Sequence, residues 1–267
     1  EIPKYIKMKK YLVIGNPIEH SLSPKLHNYW IKENNINAVY DKKQLSETDI
    51  EGIISEVKDD KIEGINITVP FKKSVIPFLD KLTTLAKEAQ SVNTIFKKDN
   101  KIVGDNTDVG GFEQGLKHIN YSVKNKKVFI LGAGGVAPSI IIALEKPKKS
   151  KKNLKKKKKK KAENIKKIYS DLEIIDWGET PDFNMIINAT SLGLKNDDEI
   201  KLNYDDIGPN KLFYDVIYNP SKTKFLSKAK QFGNQIENGK MMFIYQAQLA
   251  FKIWHNLLPK VDDKLLD

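Results

Sequence analysis

The chain has 267 residues and no cysteine. Of its 46 basic residues none is arginine; every one is lysine. The first absence excludes disulfides, thiol nucleophiles and thiolate-bound metals. The second means that any anion is gripped by point charges and not by a two-pronged guanidinium. No apolar run approaches the roughly 18 residues that a membrane-spanning helix needs, so no membrane partner is expected. The first ten residues lack the apolar segment of a secretory signal, and a cytoplasmic location is expected. The histidines at 20, 27, 118 and 255 stand at no ligand spacing, so no metal is expected.

What is abundant is lysine, and it is unevenly placed. The formal charge is +12, yet twelve lysines fall between Lys146 and Lys161 with no acid among them. Setting these aside leaves 34 basic against 34 acidic residues. The basicity is one local patch on a neutral protein. A polyanion-binding role for that patch is opposed by the neutral remainder and by the lack of aromatics inside it, so no nucleic acid is expected.

The rest of the chain reads as an α/β protein of two domains. Tyr11–Ile14, Val128–Leu131 and Met185–Ile187 are apolar runs of strand length, and Ile62–Val69 and Leu212–Val216 read as further strands. Val92–Phe96 and Lys101–Gly104 predict a hairpin across Asp99-Asn100. Helices are predicted from Pro24, with the preceding serine as cap, and over about Thr48–Val57, Asp108–His118 and Met241–Leu257. In the first of these Leu26, Tyr29 and Trp30 are expected to face a core.

Four short blocks carry the chemistry. They are Ser21-Leu22-Ser23-Pro24, then Asn66-Ile67-Thr68-Val69-Pro70-Phe71-Lys72, then Gly104-Asp105-Asn106-Thr107-Asp108, then Gly132-Ala133-Gly134-Gly135. The second and third each end a predicted strand and close on an ionisable group. Reducing a ketone needs a hydride donor on one face and a proton donor at the oxygen, and a buried lysine steered by a carboxylate can be that donor. Lys72 and Asp108 fit these roles, with Lys73 a solvated neighbour. Ser21 and Ser23, at alternate positions before a helix, can bind a carboxylate. Asn66, Thr68, Asn93 and Asn106 can each donate to and accept from the hydroxyls of a polyol. They lie at the ends of predicted strands, where open α/β sheets take their ligands.

In this order and spacing the blocks resemble shikimate dehydrogenase, over about Lys10 to Trp254. The resemblance implies a mostly parallel α/β substrate domain at 1–107 plus 240–267, and a Rossmann-like dinucleotide-binding domain at 108–239. It implies that Lys72 and Asp108 are the catalytic dyad, that Tyr218 reaches the substrate carboxylate, and that Gln246 rather than Gln248 contacts a hydroxyl. It implies that Ala189, Thr190, Ser191, Val216, Gly239 and Met242 line an NADP(H) cofactor. The reaction implied is reversible NADPH-dependent reduction of 3-dehydroshikimate to shikimate, by a monomer or homodimer. Quinate as a second substrate and a non-catalytic relative with an impaired cofactor site are the alternatives. Two serines in the first block favour shikimate over quinate.

The cofactor side shows one departure. Gly132-x-Gly134-x-x-Ala137 between a strand and a helix is the dinucleotide fingerprint, with Ala133, Gly135 and Val136 completing the turn. An NAD site would carry an acid about 20 residues on, for the ribose diol. None is present there. The family's Asn-Arg-Thr loop for the 2′-phosphate falls on Lys156, Lys157 and Lys158. Either these lysines replace the arginine as 2′-phosphate ligands, or the tract is not native. Seven consecutive lysines at 155–161 repel one another, and disorder is expected there.

Overall fold

The computed structural model describes residues 7–146, 152–155, 159–168, 172–176, 178–195, 197–262 and 264–267. The chain divides into two compact units, Glu1–Gly111 with Ile244–Asp267, and Phe112–Phe243.

The first unit contains β1 (Lys9–Gly15), α1 (Ser23–Glu33), β2 (Ala38–Gln44), α2 (Ile50–Lys58), β3 (Gly64–Ile67), β4 (Lys81–Leu82), α3 (Thr84–Ala89), β5 (Thr94–Lys98) and β6 (Lys101–Asp105). Its six strands run in the order β2-β1-β3-β5-β6-β4. The pairs β1/β2, β1/β3 and β4/β6 are parallel, while β5 lies antiparallel to both β3 and β6. The β5/β6 hairpin closes on Asp99 and Asn100, whose φ angles of 50° and 56° are those a two-residue hairpin turn demands. One face of the sheet is sealed by Ile14, Ile65, Ile67, Ile95 and Ile102 against Ile50, Ile53, Ile54 and Val57, largely the apolar stripe of α2.

Two expectations for α1 need correction. Its N-cap is Leu22 and makes no side-chain cap bond; Ser23 is already helical and Pro24 occupies the next position. The neighbouring Ser21 Oγ instead accepts the Ser23 N–H at 3.3 Å, which satisfies a helix-start donor from further out. Leu26 and Trp30 are buried as expected, but Tyr29 is exposed. The buried stripe runs through Leu26, His27, Trp30 and Ile31, and Tyr29 lies round the helix from it.

Helix α4 (Asp108–His118) leads into β7 (Val128–Leu131), α5 (Ala137–Glu145), β8 (Lys152–Lys155), α6 (Lys159–Ile168), β9 (Leu172–Ile175), β10 (Met185–Asn188), α7 (Tyr204–Ile207), β11 (Leu212–Asp215), α8 (Lys224–Gln231), β12 (Gln235–Glu237) and α9 (Lys240–His255). The second unit's strands are ordered β12-β11-β10-β7-β8-β9, and every pairing is parallel. Successive strands step outward from β7 to β9, then restart at β10 on the other side and step out to β12. The reversal between β7 and β10 is the switch point at which doubly wound sheets bind nucleotides.

The lysine tract is not wholly irregular. Lys155 ends β8, and Lys159, Lys160 and Lys161 begin α6, whose Ala162 and Ile165 are buried. Backbone pairing to β7 on one side and β9 on the other suffices for β8, and an apolar anchor three residues apart suffices for α6, against the repulsion of the lysines. Lys156, Lys157 and Lys158 lie outside the described residues.

Candidate active site

In the first unit the polar blocks converge. Lys72 follows β3 on the segment that carries Val69-Pro70-Phe71, and Asp108 opens α4. Lys72 Nζ donates to Asp108 Oδ2 at 2.6 Å, and the two side chains are 14% and 8% exposed. The pair is therefore largely withdrawn from water but still reachable. Lys73, one residue on, is exposed.

Asp108 is held from behind as well. Asn93 Nδ2 donates to Asp108 Oδ1 at 3.1 Å and lies 2.8 Å from Thr107 Oγ1 and 3.3 Å from Gln246 Oε1. Gln246 on α9 thus joins the cluster, whereas Gln248 Nε2 is engaged by the Pro259 carbonyl at 2.8 Å. Asn66 is buried next to Asn93 and donates to its carbonyl at 3.0 Å. Asn106 turns inward: its Nδ2 bonds the Ser91 carbonyl and its Oδ1 accepts the Val109 N–H, an interaction that fixes the start of α4. Asn106 thereby positions Asp108. Thr68 and Ser21 are half-buried and Ser23 is buried.

In the second unit the glycine turn leaves the carboxyl end of β7. Gly132 has φ +101°, and a Cβ there would stand 2.7 Å from Thr190 Cγ2 and 3.0 Å from the Ala189 carbonyl. Only glycine fits. Gly134 and Gly135 are exposed, and a Cβ on Gly134 would meet nothing closer than the Ala189 carbonyl at 3.9 Å. Ala133 and Val136 are half-buried, and Ala137, the first residue of α5, is buried. The open backbone at Gly134 ahead of a helix start is the cradle a pyrophosphate requires.

The loop after β10 is tied down by side chains that the motifs did not single out. Asn188 Oδ1 accepts both the N–H of Thr190 at 3.0 Å and its Oγ1–H at 2.6 Å. Asn188 Nδ2 donates to the Leu192 carbonyl and to Asp215 Oδ1. Asp215 also accepts from the Ile217 N–H and from Thr223 Oγ1 at 2.6 Å, and burial pushes its carboxyl up to about 6. A charged residue at the end of the apolar run Leu212-Phe213-Tyr214 was the readable signal for this anchor. Val216 continues β11 through its N–H to the Asn188 carbonyl. Gly239 approaches so closely that a Cβ would lie 2.1 Å from the Val216 carbonyl. Met242 is buried, Ser191 is exposed, and Tyr218 stacks on Phe243 with ring centroids 4.2 Å apart.

Among the described residues no group of three or more His, Asp or Glu side chains is placed to share a metal ion. No helix among them is long and apolar enough to cross a membrane.

Comparison with known proteins places these features in context. Residues 13–95 match the family model described as the shikimate dehydrogenase substrate binding domain. The chain is 58% identical to the shikimate dehydrogenase (NADP(+)) of Pelagibacter ubique, over 97% of this chain and 98% of that relative. A crystal structure of shikimate dehydrogenase from Aquifex aeolicus superposes with a TM-score of 0.88 at 37% identity, covering 95% of this chain and 94% of the other. A shikimate dehydrogenase solved in complex with NADP+ gives 0.89 at 31% identity, covering 95% and 92%.

Proposed function

The chain belongs to the shikimate dehydrogenase family, and we propose that Lys72 and Asp108 are its catalytic pair in the reversible NADPH-dependent reduction of 3-dehydroshikimate to shikimate. The observation that carries this assignment is the 2.6 Å contact between Lys72 Nζ and Asp108 Oδ2. It lies within a cluster of amides that suits a polyol.

The first unit binds the substrate, and the second binds NADP(H). Gly132 to Ala137 hold the pyrophosphate, and Ala189 to Ser191, Val216, Gly239 and Met242 flank the remainder of the cofactor. Bound NADPH supplies the hydride for the carbonyl carbon, and NADP+ accepts one in the reverse direction. In reduction the Lys72 ammonium gives its proton to the C3 oxygen of the substrate. The neutral amine then recovers a proton through its exposed edge. In oxidation the amine takes the hydroxyl proton back. Asp108 keeps the lysine aimed at that oxygen and accepts from the neighbouring hydroxyl. Gln246 and Asn66 line the ring, Ser21 and Ser23 bind the substrate carboxylate, and Thr68 bonds a ring hydroxyl.

The test is NADP+ reduction followed at the nicotinamide absorbance with shikimate. Quinate in place of shikimate, and NAD+ in place of NADP+, are the comparison arms. Turnover with shikimate and NADP+ is expected. No turnover together with shikimate binding would overturn the catalytic assignment. Equal use of NAD+ would show that the lysines at 156–158 do not take the place of the Asn-Arg-Thr loop.

A further inference from the structure

We propose that Tyr40 and Thr94 are positioning residues for this reaction: their hydroxyls fix the amide of Asn93 behind Asp108, and through it the carboxylate itself. The inference rests on the reading of Lys72 and Asp108 as the catalytic pair. Tyr40 lies on β2, and Thr94 begins β5 directly opposite Asn66 on β3. They are 1% and 0% exposed, so any effect on the reaction passes through other residues.

The hydrogen-bond directions in this cluster are forced. The Asn93 carbonyl can only accept, so Asn66 must aim its NH2 there, at 3.0 Å. Asn66 Oδ1 then faces Tyr40 OH at 2.7 Å, and Tyr40 must donate. The second hydrogen of the Asn66 amide goes to Thr94 Oγ1 at 3.1 Å. The proton of Thr94 is therefore directed to Asn93 Oδ1, at 3.0 Å. The Thr107 N–H, which can only donate, meets the same oxygen at 2.8 Å. Asn93 is thus left with its NH2 toward Asp108 Oδ1. Reversing the Asn93 amide would set oxygen against the carboxylate and break both bonds to Oδ1.

The consequence lies at the reacting end. Asp108 is held on Oδ1 by Asn93 and on Oδ2 by Lys72, so both of its oxygens are restrained. A loosened Asn93 lets the carboxylate turn and carries the ammonium away from the substrate oxygen. Misplacement of a reacting group by about 1 Å lowers rate by up to about a hundredfold. The Thr107 N–H keeps one of the two restraints on Asn93 Oδ1, so the effect of removing Thr94's hydroxyl is smaller than that limit.

Three variants test the proposal, with shikimate oxidation by NADP+ as the readout. Thr94→Val keeps the volume and removes the hydroxyl; Thr94→Ser keeps the hydroxyl and removes a methyl. Thr94→Val is expected to lower kcat about tenfold while the KM for shikimate and the calorimetric Kd for NADP+ move less than about threefold. Thr94→Ser is expected to keep at least about a third of the wild-type kcat. Tyr40→Phe should lower kcat about three- to fivefold, again with KM little changed. A role in packing alone predicts the opposite order, since serine leaves a gap and valine does not. Wild-type kcat in Thr94→Val, or equal losses in the valine and serine variants, would overturn the proposal. Thermal unfolding reports whether each variant folds. Should Thr94→Val not fold, Tyr40→Phe decides alone: a lowered kcat at unchanged KM supports the proposal, and an unchanged kcat refutes it. A wild type that turns over shikimate but ignores these changes refutes the positioning role only. A wild type with no turnover refutes the catalytic reading beneath it.

Discussion

Two buried aspartates, one in each unit, are held in different ways. Asp108 faces an ammonium at 2.6 Å and retains some contact with water. Asp215 is fully buried, and its hydrogen-bond partners are all neutral: the Asn188 amide, the Ile217 N–H and the Thr223 hydroxyl. At Asp108 the fold supplies a counter-charge and access to solvent, as the proposed proton transfer requires. At Asp215 it supplies donors alone, and desolvation lifts the carboxyl to about 6. One carboxylate is built to work with a charge beside it, the other to tie the loops after β10 and β11 together.

The largest effect that separates the two comes from removing the counter-charge. Lys72→Ala should lower kcat by about a hundredfold or more while the KM for shikimate changes much less. Steady-state kinetics at saturating NADP+ measures this. A raised KM at wild-type kcat would make Lys72 a binding residue and dissolve the contrast with Asp215.

A second test titrates Asp215. Its pKa when folded, about 6, lies above the ordinary 3.8, so the folded state holds this proton more tightly than the unfolded chain does. The group's stabilising contribution is therefore complete below about pH 4, falls between 4 and 6, and is gone above 6. Asp215→Asn abolishes the titration. The amide fits the site: its oxygen keeps the Ile217 and Asn188 donors, and its NH2 can donate to Thr223 Oγ1. From pH 7 to pH 4 the stability of the wild type relative to this variant should rise by roughly 2–3 kcal/mol. Denaturant unfolding at four pH values measures it, and a difference that stays flat with pH would place Asp215 among carboxylates of ordinary acidity.

How much of this was legible in the sequence depended on how each element is stabilised. The strands β1, β7, β10 and β11 each contain an apolar run of three or four residues, and α4 has both of its ends marked by motif and charge, so these were readable. By contrast β12 is three residues with one apolar side chain, and β8 carries a single leucine among lysines and an asparagine. Such strands exist because their neighbours offer backbone partners, which no local pattern records. Helix α8 was readable and passed over: Thr223 caps it, and Phe225, Leu226 and Ala229 form its buried stripe. In the site, the residues that close a motif were singled out from the sequence, while the hydroxyls placed behind Asn93 were not. Lys72 and Asp108 close polar blocks at strand ends, and Asn93 stands near the start of a predicted strand. Tyr40 and Thr94 look like ordinary strand residues until the topology sets β2, β3 and β5 side by side.

The cofactor side offers a test of intermediate size. Gly132→Ala forces a side chain into φ +101° and within 2.7 Å of Thr190 Cγ2. Strain of this kind is about 1–3 kcal/mol. The turn must shift to relieve it, and NADP+ affinity should fall by about tenfold or more. Calorimetry with NADP+ and, separately, with shikimate reads the two units apart. The shikimate Kd should hold. A variant that keeps its NADP+ affinity would show that the turn does not need the geometry Gly132 gives it.

The smallest expected effect sharpens the comparison within a single loop. Lys72 and Lys73 are adjacent and chemically identical, and composition alone cannot tell them apart in a chain with 46 lysines. The fold does: Lys72 is turned inward onto Asp108, while Lys73 is exposed. An exposed lysine exchanges its interactions for water at little change in free energy. Lys73→Ala should therefore leave kcat and KM within about twofold of wild type. A loss approaching that of Lys72→Ala would mean that a second ammonium acts on the substrate, because nothing in Lys73's surroundings makes its removal costly to the fold.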